Sequence, residues 1–175
     1  MKRFGCFSLF VITIGFSIAG CKKETKTGAP ATLRAEAPKT AECAACSMVV
    51  REQPAPRGQL IHRDGTRKFF CSIADMLQYL RAPSAHGKPK AIFVEALDPK
   101  ADPKKTDPKA RPWISAEKAS YVTGVPRPNV MGAPVLVYQK RSDAERVKKE
   151  QSGSELRDLD GLKAALIKKP KTSGH

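Results

Sequence analysis

The chain has 175 residues, of which 32 are Lys or Arg and 17 are Asp or Glu, giving a formal net charge of +15. Aromatic residues make up only 6% of the sequence, and the basic residues are scattered through predicted tails and loops, so no aromatic-lined basic groove for stacking nucleic-acid bases is expected. A basic surface that faces anionic lipid or an acidic partner accounts better for the charge.

The N-terminus has the pattern of a bacterial export signal. Lys2 and Arg3 precede an apolar run that is too short and too abruptly ended for a membrane-spanning helix. The run ends in "IAGC", residues 18–21, which resembles the lipobox of bacterial lipoproteins. This resemblance implies that residues 1–20 are a signal peptide that is removed and that Cys21 carries a lipid anchor. The alternative is an uncleaved anchor in which the cysteine is incidental.

The segment from residue 21 to residue 41 is predicted to be the lipidated cysteine followed by a flexible tether. It is rich in Lys, Thr, Ala and Pro and has no apolar periodicity. Removal of the signal would leave Cys43, Cys46 and Cys71 as the free thiols of an exported protein. Because an odd number of thiols is a poor basis for a structural disulfide framework, at least one of them is expected to be reactive or metal-bound.

Two strands and a helix are predicted after the tether. The segment "GQLIHRDGTRKFF", residues 58–70, has two apolar clusters on either side of Asp64-Gly65, a favoured pair for a hairpin turn. The following "CSIADMLQYLRA" has apolar residues at helical spacing, and Ser72 is placed to cap the helix. Residues 42–98 are therefore predicted to form a first β-β-α unit.

A second, related β-β-α unit is predicted over residues 113–168. The order of elements is repeated by predicted strands in "KAIFVEAL", "KASYVTG" and "APVLVYQK" and by a helix in "SDAERVKKEQ", which Ser142 could cap. Between the units, the Asp-Pro-Lys iterations of residues 99–112 predict an exposed loop, and residues 169–175 predict a basic tail. The predicted fold class is α+β, with two small units of antiparallel strands.

The stretch "ECAACSMVV" places a methionine two residues after a CxxC pair. A zinc site needs four ligands, and the remaining candidates, Cys71, His62 and His86, are scattered along the chain. Thiolate and thioether ligands together favour Cu(I) instead. In an extended segment, Cys46 and Met48 would project to the same side and could converge on one ion. Met48 could also be an ordinary core residue.

A series of motifs along the chain resembles the copper-accessory lipoproteins of nitrous oxide reductase maturation, the NosL family. The series is the lipobox, C-x-x-C-x-M-x-V, the Asp-Gly hairpin turn, an aromatic strand leading into a helix with Met76, and Met131-Gly132 before a strand. The resemblance implies a metallochaperone that carries Cu(I) to apo nitrous oxide reductase or to its maturation transporter. It also implies a lipid-anchored place in the cell envelope, on the outer membrane facing the periplasm.

Carried over to this sequence, the resemblance implies that Cys46 and Met48 are copper ligands and that Met131 is a third ligand from the second unit. Met131 could equally be a buried residue at a turn. Cys43 is left open between a secondary ligand, a disulfide partner of Cys46 in the metal-free protein and a spare thiol. The chain departs from the family at Ser47, where the family usually has glycine, so a different loop shape is expected.

Three further functions stay open on the sequence. The "FFCS" stretch is similar to heavy-metal-binding modules of the TRASH or YHS type, for which the ligand set would be Cys46, Cys71 and Met48. His62 is expected to be a strand histidine that faces solvent, with metal ligation as a less favoured role. The absence of HExxH, Gly-x-Ser-x-Gly and phosphate-loop motifs argues against an enzyme. The sequence is also compatible with an exported thiol-disulfide protein or with a passive adaptor that has a basic face.

Overall fold

The structure is a computed structural model that describes residues 33–130 and 132–167. The predicted signal peptide, the lipidation site Cys21 and the candidate ligand Met131 lie outside the described residues. Within the described ranges, no helix is long and apolar enough to cross a membrane.

The first sheet has four antiparallel strands in the order β2-β1-β3-β4. They are β1 (Gly58–His62), β2 (Arg67–Phe70), β3 (Pro89–Glu95) and β4 (Trp113–Ser115). Strands β1 and β2 form the predicted hairpin, and Gly65 in its turn has a φ of +88°, which glycine adopts without steric cost. Helix α1 (Ile73–Arg81) follows β2. The predicted cap is confirmed, because the Ser72 hydroxyl accepts a hydrogen bond from the backbone N–H of Asp75 at 3.0 Å.

The second sheet has three antiparallel strands in the order β6-β5-β7. Its elements are β5 (Ser120–Thr123), β6 (Val135–Tyr138), helix α2 (Arg141–Glu150), β7 (Glu155–Arg157) and helix α3 (Leu159–Ile167). The prediction that Ser142 caps α2 is wrong. Lys140 occupies the N-cap position without a side-chain cap bond, and Ser142 lies inside the helix.

The internal repeat is longer than the sequence indicated. In both units a β-hairpin and a helix are followed by a further strand that pairs with the first strand of the hairpin, β3 with β1 and β7 with β5. The strand predicted in "KAIFVEAL" therefore belongs to the first sheet, and its use as the start of the repeated order is wrong. Strand β4, which starts at Trp113 on the second-unit side of the predicted boundary, also pairs within the first sheet.

The two sheets contribute to one buried apolar cluster. Leu60, Phe70 and Met76 from the first unit pack in the same cluster as Tyr121 and Leu162 from the second, and all five side chains are 0% exposed. A smaller cluster lies under α2, around Leu136, Tyr138 and Val147. The main core therefore joins the two units and supports α1, the helix that begins at the thiol-rich region.

The Asp-Pro-Lys loop contains a repeated local structure. In each of three steps an aspartate carboxylate accepts a hydrogen bond from the backbone N–H two residues further on, at 2.6–2.9 Å. The loop is mostly exposed, as predicted, but two buried guanidinium groups hold its backbone. Arg127 donates to the Lys105 carbonyl at 2.7 Å and Arg57 to the Pro108 carbonyl at 3.2 Å.

Candidate metal centre

Three thiols and one carboxylate meet where β2 runs into α1. One ligand atom from each of Cys43, Cys46, Cys71 and Asp75 lies within 4.8 Å of all the others. The sulfurs of Cys46 and Cys71 are 3.4 Å apart. Ligands of a tetrahedral ion with bonds of about 2.3 Å are separated by about 3.8 Å. The described side chains therefore surround a volume of the right size for one metal ion.

The CxxC stretch forms a tight loop held by backbone hydrogen bonds. The N–H of Cys43 donates to the carbonyl of Met48 at 2.8 Å, and the N–H of Ser47 donates to the carbonyl of Cys43 at 2.9 Å. Ser47 has a φ of +61°, in the left-handed region that favours glycine. The premise that Cys46 and Met48 share one side of an extended segment is therefore wrong, because Cys46 lies in a turn and the residue between them is left-handed.

The loop is attached to the end of β2. Cys43 forms a bridge with Phe69, and the N–H of Ala44 donates to the Phe69 carbonyl at 2.9 Å. Two residues after Phe69, the backbone N–H of Cys71 points at the Cys43 sulfur, 3.4 Å away. This attachment brings Cys71 into the group, although 25 residues separate it from Cys46. Cys71 is therefore close to the CxxC pair, although the sequence alone left it among the scattered candidates for a zinc site.

Asp75 is the member of the group that sequence reasoning missed. It lies in the first turn of α1, and its carboxylate accepts a hydrogen bond from the Cys71 thiol at 3.0 Å. The spacing of Asp75 from Cys71 in the sequence could have identified it. Residues four apart share a face of a helix, and Cys71 and Asp75 are separated by four positions across the capped helix start.

The thiols differ in acidity. Burial acts to raise the pKa of Cys43, but hydrogen bonds from the backbone N–H groups of Cys71, Ala45 and Cys46 outweigh it, and the pKa of Cys43 lies below that of an ordinary thiol. The pKa of Cys71 is raised, first by burial and then because its S–H donates to the Asp75 carboxylate. In the metal-free protein Cys43 is therefore the more readily ionised of these two thiols, and Cys71 keeps its proton.

The other predicted site residues have distinct places. The side chain of Met48 is half-buried and packs against the apolar cluster that contains Cys43 and Cys71. His62 is 0% exposed, so the prediction that it faces solvent is wrong. Its Nδ1 is 2.7 Å from the Gly87 carbonyl and its Nε2 is 3.1 Å from the Tyr79 hydroxyl, so both ring nitrogens are engaged away from the thiols.

Comparisons with known proteins agree with the motif order. The sequence profile of the NosL family matches residues 34–167. The copper-binding lipoprotein NosL of Stutzerimonas stutzeri is 25% identical over 177 residues, covering 100% of this chain and 89% of that protein. The copper-binding lipoprotein NosL of Achromobacter cycloclastes is 29% identical over 131 residues, covering 74% and 67%.

A solved structure has a similar fold. The crystal structure of the copper chaperone NosL from Shewanella denitrificans aligns with a TM-score of 0.59 at 27% identity, and the alignment covers 73% of this chain and 93% of that one. This likeness extends over both units and includes the antiparallel sheets and helices of the α+β fold. Because the family profile also spans most of the sequence, the chain belongs to the NosL family.

Proposed function

We propose that this protein is a lipid-anchored Cu(I) metallochaperone that delivers copper to apo nitrous oxide reductase or to its maturation transporter. The observation that carries the proposal is the convergence of Cys43, Cys46 and Cys71 in one group. Met48 packs against the apolar cluster that contains Cys43 and Cys71. Relatives named as copper-binding lipoproteins, and a solved neighbour named as a copper chaperone, support copper as the cargo. The protein binds and releases the ion and has no catalytic role.

The donor set favours the monovalent ion. Thiolate and thioether sulfur are soft ligands, and Cu(I) is the soft member of the metals that such a site would meet. We assign Cys46 and Met48 as ligands, completed by Cys43, Cys71 or Met131. The position of Gly132 supports Met131, because a Cβ on Gly132 would be 3.3 Å from the Cβ of Ala74, the residue before Asp75. The chain next to Met131 therefore runs close to the helix that carries the site.

Copper release would begin at Cys46. Cys46 is half-buried, whereas Cys43 and Cys71 are buried. A ligand from the acceptor therefore reaches an ion from the Cys46 side, and sulfur ligands are exchanged one at a time. A soft site that is open on one side can hold the ion and still give it up.

The anchor and the location belong to the same proposal. Cys21 is the lipid attachment site after removal of residues 1–20, and residues 22–41 are the tether that holds the folded part near the membrane. We place the protein in the cell envelope, on the outer membrane facing the periplasm. The lipoprotein names of the relatives support this placement.

A competition titration tests the metal and its ligands. The chain from Lys22 onward is titrated with Cu(I) against bathocuproine disulfonate under reducing conditions. We expect Cys46→Ser to weaken Cu(I) binding by about a hundredfold or more and Met48→Leu, which keeps the apolar packing and removes the sulfur, by about tenfold. Absence of tight Cu(I) binding by the unmodified chain would reject the metallochaperone proposal.

A heavy-metal-binding protein of the TRASH or YHS type is the second candidate, favoured by the contact between Cys46 and Cys71. Three thiols with the Asp75 carboxylate also form an acceptable tetrahedral zinc set. The two candidates differ in the role of the carboxylate, which is a good ligand for zinc and a poor one for Cu(I). Loss of Zn(II) affinity in Asp75→Ala with Cu(I) affinity unchanged, together with tighter binding of Zn(II) than of Cu(I) by the unmodified chain, would support the second candidate.

A further inference from the structure

A cleft opens beside the thiol centre. The described residues leave a space of about 880 Å³ between α1, the start of β3 and the chain after residue 131. Its wall is largely apolar and includes Leu77, Leu80 and Ile92. A space of this size accommodates several side chains of a bound segment.

The cleft borders the two segments that hold the thiols. Ala45, which lies between Cys43 and Cys46 in the CxxC loop, lines the cleft, and so does Asp75, whose carboxylate accepts a hydrogen bond from Cys71. An occupant of the cleft would therefore lie against the loop and the helix turn that hold the three thiols. Ligand exchange requires a donor atom of the acceptor to reach the ion, and an acceptor held in the cleft would lie next to Ala45, the neighbour of Cys46.

Positive charge lines the opening. Arg81 and Lys88 are exposed residues of the cleft and form no ion pair with any described residue. Lys163, also in the lining, pairs with Asp160 at 3.1 Å. An apolar wall with two unpaired cations at its edge is complementary to an acidic surface that carries an apolar side chain.

Charge argues against residues 1–32, residues 168–175 or a second copy of this chain as the occupant of the cleft. Residues 1–32 contain five basic residues and one acidic residue, and residues 168–175 contain three lysines and no acidic residue. A second copy of the chain would bring a formal net charge of +15 to a basic opening. Electrostatic complementarity therefore selects a different protein with an acidic docking face.

We propose that this cleft is the docking surface for the copper acceptor, which inserts an apolar side chain between α1 and β3 and pairs acidic residues with Arg81 and Lys88. The inference rests on the proposed function, because it assumes that an acceptor protein takes the ion. It adds the side of the molecule from which the acceptor approaches and the charge of the acceptor's docking face.

The test measures copper transfer by the full chain in non-ionic detergent. The chain is loaded with Cu(I) and mixed with apo nitrous oxide reductase at low and at high ionic strength. Transfer to a neutral triazole-based Cu(I) ligand is followed in parallel. We expect the double variant Arg81→Glu with Lys88→Glu to slow transfer to the protein acceptor by about tenfold or more at low ionic strength and to leave transfer to the small ligand unchanged.

Two matched controls separate the docking surface from overall charge and stability. Lys148→Glu with Lys149→Glu makes the same charge change in the last turn of α2, and we expect less than about a threefold effect. Gln78→Trp fills the cleft without changing charge, and we expect it to slow transfer to the protein acceptor at both ionic strengths. Gln139→Trp, at an exposed position after β6, is its control and should transfer normally.

The outcomes distinguish the inference from the proposed function. If the Lys148→Glu, Lys149→Glu pair slowed transfer as much as the Arg81→Glu, Lys88→Glu pair, the docking surface would be overturned and the metallochaperone proposal would stand. Normal transfer by both the Arg81→Glu, Lys88→Glu pair and Gln78→Trp would have the same meaning. Loss of binding to phosphatidylglycerol vesicles by the cleft pair, with transfer to the acceptor unchanged, would assign the surface to a membrane and overturn the inference. Failure of the unmodified chain to transfer copper to the enzyme would reject delivery to that acceptor and the docking surface with it.

Discussion

Asp75 connects the thiol centre to the first turn of α1. Its backbone N–H donates to the Ser72 hydroxyl, and its carboxylate accepts the Cys71 thiol proton. A carboxylate at this distance opposes formation of a second negative charge on Cys71. The cap of the helix therefore fixes the position of the group that keeps one of the three thiols protonated.

Replacement of Asp75 by Asn should lower the pKa of Cys71. Burial, the first cause of the raised pKa, is unchanged by the substitution, but the anionic hydrogen-bond acceptor is removed. The thiolate should then form at lower pH than in the unmodified chain, as measured by the pH dependence of thiolate absorbance in a background with Cys43→Ser and Cys46→Ser. Asp64→Asn, at the distant hairpin turn, is the control. An unchanged or higher titration midpoint in Asp75→Asn would contradict the assigned role.

The CxxC loop and the β2–α1 junction meet through their sulfurs. The sulfurs of Cys46 and Cys71 are 3.4 Å apart, and the three cysteines that the structure describes are free thiols. Cys43 is held in place by its backbone bonds to Met48 and to the β2 end. Oxidation should therefore join the two elements rather than close the loop on itself.

We expect a Cys46–Cys71 disulfide when the metal-free protein is treated with diamide, which takes up the two electrons and two protons that the thiols lose. Peptide mapping under non-reducing conditions identifies the pair, and Cys43→Ser should form the same bond. The oxidised protein should no longer bind Cu(I), because two of its thiolates are consumed. A predominant Cys43–Cys46 disulfide, the pairing considered from the sequence, would contradict this prediction.

A buried ion pair connects the first sheet to the Asp-Pro-Lys loop. Arg57 and Glu95 are 1% and 0% exposed, and the guanidinium makes two bonds to the carboxylate at 2.6 and 2.8 Å. The same guanidinium donates to the carbonyl of Arg51 at 2.9 Å. The Arg57 side chain therefore joins β3, the chain after the CxxC loop and the long loop. Because the pair is buried, removal of the Glu95 carboxylate would leave the charge of Arg57 uncompensated.

Glu95→Gln should lower the free energy of unfolding by about 3 kcal/mol, since the buried Arg57 loses its counter-charge. Urea unfolding of the purified protein measures the change. In the double variant Arg57→Met with Glu95→Leu no buried charge is left, and most of the loss should be recovered. If the double variant is less stable than Glu95→Gln, the hydrogen bonds to the loop carbonyls matter more than the isolated charge.

Over the full fold, the sequence predicted individual strands and helices better than it predicted which strands pair with one another. The hairpin around Asp64-Gly65 and the helix capped by Ser72 follow from local chemistry, and both were predicted. Strand β7 follows a turn and has only three residues, which is too short for its periodicity to be recognised in the sequence. The full repeat was therefore missed. The four-residue spacing of Cys71 and Asp75 could have identified this pair. Its meeting with Cys43 and Cys46 was missed because it depends on a contact between two segments that are distant in sequence, which composition and spacing do not encode.

The shared core predicts that the two units unfold together. Leu162 in α3 belongs to the second unit but is buried in the cluster that contains Phe70 and Met76. Leu162→Ala should therefore destabilise the whole protein by about 3 kcal/mol, the usual cost of a cavity in a packed core. The fluorescence of Trp113, in the first sheet, and the far-ultraviolet circular dichroism should shift to the same lower denaturant midpoint. Leu33→Ala, at an exposed position, is the control. Separate transitions for the two probes would mean that each sheet is stable alone.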